Sequence, residues 1–269
     1  MLPVVEIFTS IQGEGMYMGV PSHFVRVSGC NLRCVFKDSV CDTPYASFKP
    51  EKMLYKDMQA LVDAFKAQQE KFPKVKHLVV TGGEPLMYKK DLEEFLASVW
   101  DEDMVITIET NGTRPPLNPL GKFRVNLYSI SPKLATSVGK PGQYGDITVT
   151  EDEVKRHDEQ RINVENLTKY ITASTNYQLK FVYSGPECLE EIRSIYKRMA
   201  EVIEREDEFV RQFYMKNHPN KNTMLMPEGI TPEQLDRNSQ EIAQICVENG
   251  WQYSDRLQIR IWPKITRGV

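Results

Sequence analysis

Long apolar runs are missing from this 269-residue sequence. Leu78-Val79-Val80 stands among the longest, against the ~20 consecutive apolar residues of a membrane-spanning helix, so a helical membrane protein is excluded. The first residues, Met1-Leu2-Pro3-Val4-Val5-Glu6, carry neither a basic n-region nor an apolar core, the marks of a secretory signal, and a cytoplasmic protein is expected. An excess of one charge is missing too. The net charge of −3 argues against nucleic acid or an anionic membrane as partner. Histidine is scarce at four residues, and cysteine, at five, is scarce and odd in number, so no disulfide framework is expected. Neither a repeat of fixed period nor a low-complexity segment is present. What is there is 41% hydrophobic and 26% charged residues, enough to build a sizeable soluble core, in a length that suits one α/β domain over residues 1–269.

Short β-branched runs alternate with helical periodicity. Strands are expected at His23–Val27, His77–Thr81, Val105–Glu109, Val125–Ser131, Gln178–Tyr183 and Thr223–Met226. Helices are expected over Tyr55–Lys71, with Met58, Leu61, Val62 and Phe65 on one face, over Asp91–Trp100, and over about Glu187–Glu206. A last helix should start with Thr231 as N-cap and Pro232 at the first position, and stop after Asn249 at Gly250. This alternation implies βαβ units on a mainly parallel sheet. About six repeats make an open, partial (βα)6-type TIM-like barrel, whose active site belongs at the C-terminal ends of the strands. Residues from about 135 to 163, with Gly139, Gly142, Gly145 and the charged run Glu151–Arg161, read as an inserted loop. Cys188 and Cys246 fall in helical patterns and read as small buried apolar residues.

The other cysteines crowd into one loop after the first expected strand: Gly29-Cys30-Asn31-Leu32-Arg33-Cys34-Val35-Phe36-Lys37-Asp38-Ser39-Val40-Cys41-Asp42-Thr43. Three soft thiolates suit an iron–sulfur cluster or zinc. A structural zinc is normally closed by four ligands, and nothing at zinc-finger spacing supplies the fourth. Three ligands leave one iron of a four-iron cluster open, which inner-sphere chemistry requires. A zinc site on the same cysteines stays open at this point.

Cys-x3-Cys, then an aromatic residue and a third cysteine, resembles the signature of the radical S-adenosylmethionine (SAM) superfamily. In that signature the third cysteine usually comes two residues after the second. Here Val35 and Phe36 are followed by an insertion, Lys37-Asp38-Ser39-Val40, before Cys41-Asp42-Thr43 restores the match. Thr81-Gly82-Gly83-Glu84-Pro85 follows a strand about forty residues on, and paired glycines let backbone approach a ligand closely. Glu109-Thr110-Asn111-Gly112 and Ser131-Pro132-Lys133 end the next two strands. The resemblance implies a [4Fe–4S] cluster on Cys30, Cys34 and Cys41, and SAM held by Thr81, Gly82, Gly83, Glu84, Thr110, Asn111, Ser131 and Lys133. Glu84 would meet the ammonium group of SAM.

Both ends of the chain narrow the resemblance. Phe8-Thr9-Ser10-Ile11-Gln12-Gly13-Glu14-Gly15, Gly19-Val20-Pro21, Phe24-Val25-Arg26, and at the other end Arg256-Leu257-Gln258, Ile261-Trp262 and Arg267-Gly268-Val269 look like the 7-carboxy-7-deazaguanine synthase (QueE) family. That implies ring contraction of 6-carboxy-5,6,7,8-tetrahydropterin to 7-carboxy-7-deazaguanine with release of ammonia, on the route to queuosine-type deazapurines. Reductive cleavage of SAM would give the 5′-deoxyadenosyl radical that abstracts a substrate hydrogen. By the same resemblance Gln12, Glu14 and Gly15 meet the pterin edge, Arg26 pairs with its carboxylate, and Gly83, Gln258 and the terminal carboxylate of Val269 complete the pocket. Thr43 would help to hold Mg²⁺. A flavodoxin or ferredoxin is the implied reductant, and a homodimer the implied assembly. Gln258 stands where relatives often carry His, so no acid–base role is expected there. The rival readings are a glycyl-radical activase and a zinc-bearing binding protein without radical chemistry.

Overall fold

The computed structural model describes residues 1–269 other than 38, 52, 53, 119, 120, 174, 175 and 266, so Asp38 of the cysteine-loop insertion lies outside the described residues. The strands are β1 (Val4–Ile11), β2 (Pro21–Val27), β3 (His77–Gly82), β4 (Val105–Thr110), β5 (Leu127–Ile130), β6 (Gly142–Tyr144), β7 (Ile147–Val149), β8 (Tyr177–Tyr183), β9 (Thr223–Pro227) and β10 (Gln252–Tyr253). Eight of them make one sheet in the order β1-β2-β3-β4-β5-β8-β9-β10. β1 runs antiparallel to β2, and every other pairing is parallel. The end strands β1 and β10 do not pair with each other, which leaves an open, partial barrel. β6 and β7 form a separate antiparallel hairpin.

The helices are α1 (Pro44–Ser47), α2 (Met58–Lys71), α3 (Lys89–Val99), α4 (Glu151–Gln160), α5 (Val164–Thr172), α6 (Glu187–Ile203), α7 (Glu208–Lys216), α8 (Pro232–Asn249) and α9 (Leu257–Ile261). Parallel strands covered on both sides should be apolar throughout. β5 and β9 are buried at every position. Leu61 and Phe65 of α2 and Phe95 and Leu96 of α3 join Val25, Leu78, Val80 and Ile106 in the main core, with the Phe65 and Phe95 rings edge-on at 5.7 Å. Cys188 and Cys246 are buried in α6 and α8, as expected.

The structure departs from the sequence reading at several ends. β1 was not anticipated, because an edge strand carrying Glu6, Thr9 and Ser10 lacks a clean apolar alternation. The expected strand Val125–Ser131 shortens to β5 because Asn126 uses its side chain, not its carbonyl, to accept from Ile106 N at 2.9 Å. α2 starts at Met58 rather than Tyr55 because Asp57 caps it, accepting from Ala60 N at 2.8 Å. α6 ends at Ile203, and Asp207 caps a further helix, α7, not singled out in the sequence. The last long helix is as read: Thr231 caps it in a capping box with Gln234, and Gly250 closes it with φ 67°. Residues 135–163 carry a 3-10 turn at Ala135–Ser137, the β6–β7 hairpin and α4, in place of an irregular loop.

Candidate active site

A parallel sheet opens its chemistry at the C-terminal strand ends, where side chains leave the packed interior. There Arg26, Thr81, Glu109, Thr110, Ser129, Ser131, Lys180 and Met226 help to line a cavity of about 530 Å³. Cys30, Cys34 and Cys41 all face it, and Gln12, Glu14, Thr43, Gly82, Gly83, Asn111, Lys133, Gln258 and Val269 complete the set of predicted residues in its wall.

The long gap between the second and third cysteines folds into a hairpin. Val35 and Val40 pair antiparallel, Phe36 N donates to Ser39 O at 2.7 Å, and Cys41 N donates to Cys34 O at 3.0 Å. The backbones of Cys34 and Cys41 therefore stay side by side, and Ser39 and Val40 of the insertion remain in the cavity wall. Cys34 is buried, Cys30 and Cys41 are partly exposed, and none is in a disulfide. Burial pushes the Cys30 thiol up to about 12 and raises Cys34 as well, so thiolates here require a cationic partner. Among the described residues no three His, Cys, Asp or Glu side chains come together as a ready-made site for a single metal ion. Three thiols on one cavity wall suit the three-cysteine set of an iron–sulfur cluster that leaves one iron open.

The Gly-Gly-Glu turn is locked beneath the cysteine loop. A Cβ on Gly83 would lie 1.9 Å from the Gly29 carbonyl oxygen, so only glycine fits. Gly83 N donates to Val27 O at 2.9 Å and Glu84 N to Gly29 O at 2.8 Å. Glu84 itself does not line the cavity. It has no exposed surface and accepts from Leu86 N (3.0 Å), Thr110 Oγ1 (2.8 Å) and Asn111 N (2.7 Å). Its carboxylate thus sets the turn carrying Thr110 and Asn111 instead of facing a ligand. Asn111 Nδ2 donates to Asn31 Oδ1 at 3.0 Å, which ties that turn to the cysteine loop. Lys133 Nζ donates to Ser131 Oγ at 2.9 Å. Gly15 is likewise outside the wall: with φ +74°, it sits where a Cβ would strike Gln178 Nε2 at 2.1 Å.

Glu14 is bound on three sides. It pairs with Lys180, accepts from Arg256 Nε at 3.0 Å and accepts from Gln258 Nε2 at 2.9 Å. Burial alone would raise it, but the two cations outweigh burial and hold it well below the usual carboxylate range. Arg256 also pairs with Asp42, beside Cys41, and donates to Gly229 O. Gln12 Nε2 donates to Glu109 Oε1 at 3.1 Å, and Thr81 Oγ1 donates to Glu109 Oε2 at 2.5 Å.

Arg26 reaches the cavity with its Nε edge already taken by Glu6 Oε2 at 2.9 Å. Glu6 also accepts from Tyr45 OH (3.3 Å) and Gly268 N (3.0 Å), while Arg267 pairs with Glu51 and stacks on Tyr45 at 3.8 Å. These contacts strap the C-terminal tail down and put Val269 in the wall.

Sequence reading missed Lys180, Arg256, Asp42, Glu109 and Glu6. A signal existed for Lys180: a lone charge inside the apolar run of β8, buried to 4% exposure, demands a buried partner. Asp42, Glu109 and Arg256 stood within the quoted motifs, but only folding shows that Arg256 links residues as distant as Glu14 and Asp42.

Residues 24–177 match the radical SAM superfamily, more than half of the chain, which sets the class of protein. Membership implies a [4Fe–4S] cluster and SAM as cofactors. The chain is 35% identical to the 7-carboxy-7-deazaguanine synthase of Halobacterium salinarum over 97% of its own length and 90% of that protein's. It is 36% identical to that of Rhodopirellula baltica over 100% of its length and 89% of that protein's. The chain therefore belongs to the 7-carboxy-7-deazaguanine synthase family, a family of radical SAM lyases. Its fold superposes on the crystal structure of QueE from Escherichia coli with a TM-score of 0.56, at 18% identity, covering 95% of this chain and 94% of that one. Among the described residues no helix is long and apolar enough to cross a membrane.

Proposed function

We propose that this cavity contracts 6-carboxy-5,6,7,8-tetrahydropterin to 7-carboxy-7-deazaguanine with release of ammonia, feeding queuosine-type deazapurine synthesis. One observation carries the reading: Gln12, the carboxylate of Glu14 and the guanidinium of Arg26 share one cavity wall with Cys30, Cys34 and Cys41. A buried carboxylate held ionised by Lys180 and Arg256 is an acceptor for the paired N–H donors of a guanidine-like ring edge, with Gln12 beside it. Arg26, its Nε edge clamped by Glu6, keeps its two terminal nitrogens for a substrate carboxylate. Gly83, Gln258 and the Val269 carboxylate close the substrate side. Gln258 donates to Glu14, so it positions that carboxylate and carries no titrating role. Cys30, Cys34 and Cys41 would hold the cluster, which when bound would supply the electron for reductive cleavage of SAM. Thr81, Gly82, Gly83, Thr110, Asn111, Ser131 and Lys133 are the residues assigned to SAM, while Gly15 and Glu84 act from behind the wall.

The finer assignments belong to the same proposal. Thr43, its hydroxyl 3.5 Å from Cys41 Sγ and facing the cavity, is assigned to Mg²⁺, a cation that takes oxygen ligands and keeps its waters. A flavodoxin or ferredoxin is the reductant and the assembly is a homodimer, both by family resemblance, and the compartment is the cytoplasm. A glycyl-radical activase needs a mouth for a peptide, which charged anchors for a small ring and its carboxylate do not favour. The test is anaerobic turnover of the reconstituted protein with the carboxy-tetrahydropterin, SAM and dithionite. The deazaguanine mass is expected, and SAM cleavage without that product would overturn the substrate assignment.

A further inference from the structure

Two stretches stand out in the sequence, the long gap after Cys34 and the segment 135–163, and the two pack on each other. Val35, Ile147 and Val149 form a small core of their own, joined by Val40 and Val154. Gly139 lies so close that an added Cβ would meet Val35 Cβ at 2.4 Å. The loop from Cys30 to Cys34 has no secondary structure to satisfy its amides, and buried amides need partners. The segment provides them. Arg33 N donates to His157 Nδ1 at 3.1 Å, and Val35 N donates to Ser137 O at 2.9 Å. An imidazole that accepts at Nδ1 carries its hydrogen on Nε2, which lies 3.0 Å from Ser137 Oγ; that hydroxyl in turn donates to Leu134 O at 2.6 Å. One neutral tautomer satisfies the whole chain. On the outside, Arg33 pairs with Glu153 of α4 at 3.3 Å while donating to Cys30 O at 2.8 Å.

We propose that residues 135–163 are a brace for the extended cysteine loop, and that His157 is its positioning residue, fixing the backbone between Cys30 and Cys34. The proposal rests on the reading that the three cysteines hold the cluster. The reason for a brace is entropic. A longer closed loop has more conformations to lose, and a cluster needs its ligands held in place before it binds. The tight spacing of the superfamily pattern achieves this by brevity; this chain achieves it by packing a second segment against the loop.

The test compares reconstituted wild type with His157→Leu, which loses both ring hydrogen bonds, and His157→Asn, whose amide oxygen replaces the Nδ1 acceptor. Cluster loss is followed as bleaching of the visible absorbance under chelator in the absence of oxygen. Hydrogen exchange at Arg33 N is followed in the metal-free protein. His157→Leu is expected to lose its cluster about tenfold faster and to exchange Arg33 N faster, with His157→Asn recovering most of both. Val149→Ala trims the small core without a polar loss and carries the test should His157→Leu not fold. Ile242→Ala, in the main core on α8, is the control for general destabilisation. Equal cluster loss in all variants, or a loss that merely follows their melting temperatures, overturns the brace. A wild type that takes up no iron and sulfide overturns the reading of the site itself, and the brace with it.

Discussion

Glu84 is a carboxylate with no water to fall back on. It has no exposed surface, burial raises its pKa, and three donors from two turns converge on it. Glu84→Ala leaves those donors without an acceptor and is expected to cost about 3 kcal/mol of stability. Urea unfolding measures this, and a loss below about 1 kcal/mol would show that the amides find other acceptors. The sequence put Glu84 in the right turn but gave it a ligand to hold. A Gly-Gly-Glu-Pro run reads the same whether its carboxylate faces the cavity or the neighbouring strand end, since that direction is set by where β4 delivers Thr110 and Asn111. Lys180 is the reverse case. Its burial was readable as a charge within an apolar strand, but its partner, Glu14, is 166 residues away in sequence.

Among the elements, the tail after α9 makes the clearest division between stability and function. Arg267 pairs with Glu51 where both side chains are nearly half exposed, and exposed pairs contribute little. Yet the strap places Val269 in the cavity wall and shares Glu6 with Arg26. Deleting residues 267–269 is expected to change stability by less than about 1 kcal/mol, to leave iron content unchanged, and to raise KM for the carboxy-tetrahydropterin by about tenfold. A shortened protein with unaltered KM would remove the tail from the site. The cysteine hairpin shows what periodicity could not reach. Val35 and Val40 pair across a tight turn within a gap that, read as spacing alone, looked like a misfit to the pattern.

For the whole molecule, buried histidines shape the acid limb of stability, His77 and His157 most strongly. Burial depresses His77 and His157 from 6.5 to about 4. The unfolded chain takes up protons near pH 6.5 while the folded one refuses them until about 4, so the unfolded state binds more protons across that window. Their contribution is fully present above pH 6.5 and is lost as pH falls toward 4. Urea midpoints taken from pH 7 down to about 4.5 should fall with protons taken up on unfolding by His77 and His157, and by His23 and His218, which burial also lowers. Replacing His157 by Asn should remove about one of them, and an unchanged slope would show that the ring is charged in the folded state.

The sequence by itself determined the class of fold and the inventory of the site. Apolar period, caps and strand-end glycines are local signals, and they placed six parallel strands, the Thr231 N-cap and the cysteine, Gly-Gly and Gln12–Glu14 motifs without knowledge of neighbours. Tertiary structure decided which way those residues face and what holds them. It turned Glu84 and Gly15 away from the cavity, tied Glu14 to Lys180 and Arg256, clamped Arg26 with Glu6, and set residues 135–163 against the cysteine loop. Those outcomes depend on contacts between chain segments as far apart as the 242 residues from Glu14 to Arg256, and no local pattern encodes a distance in space.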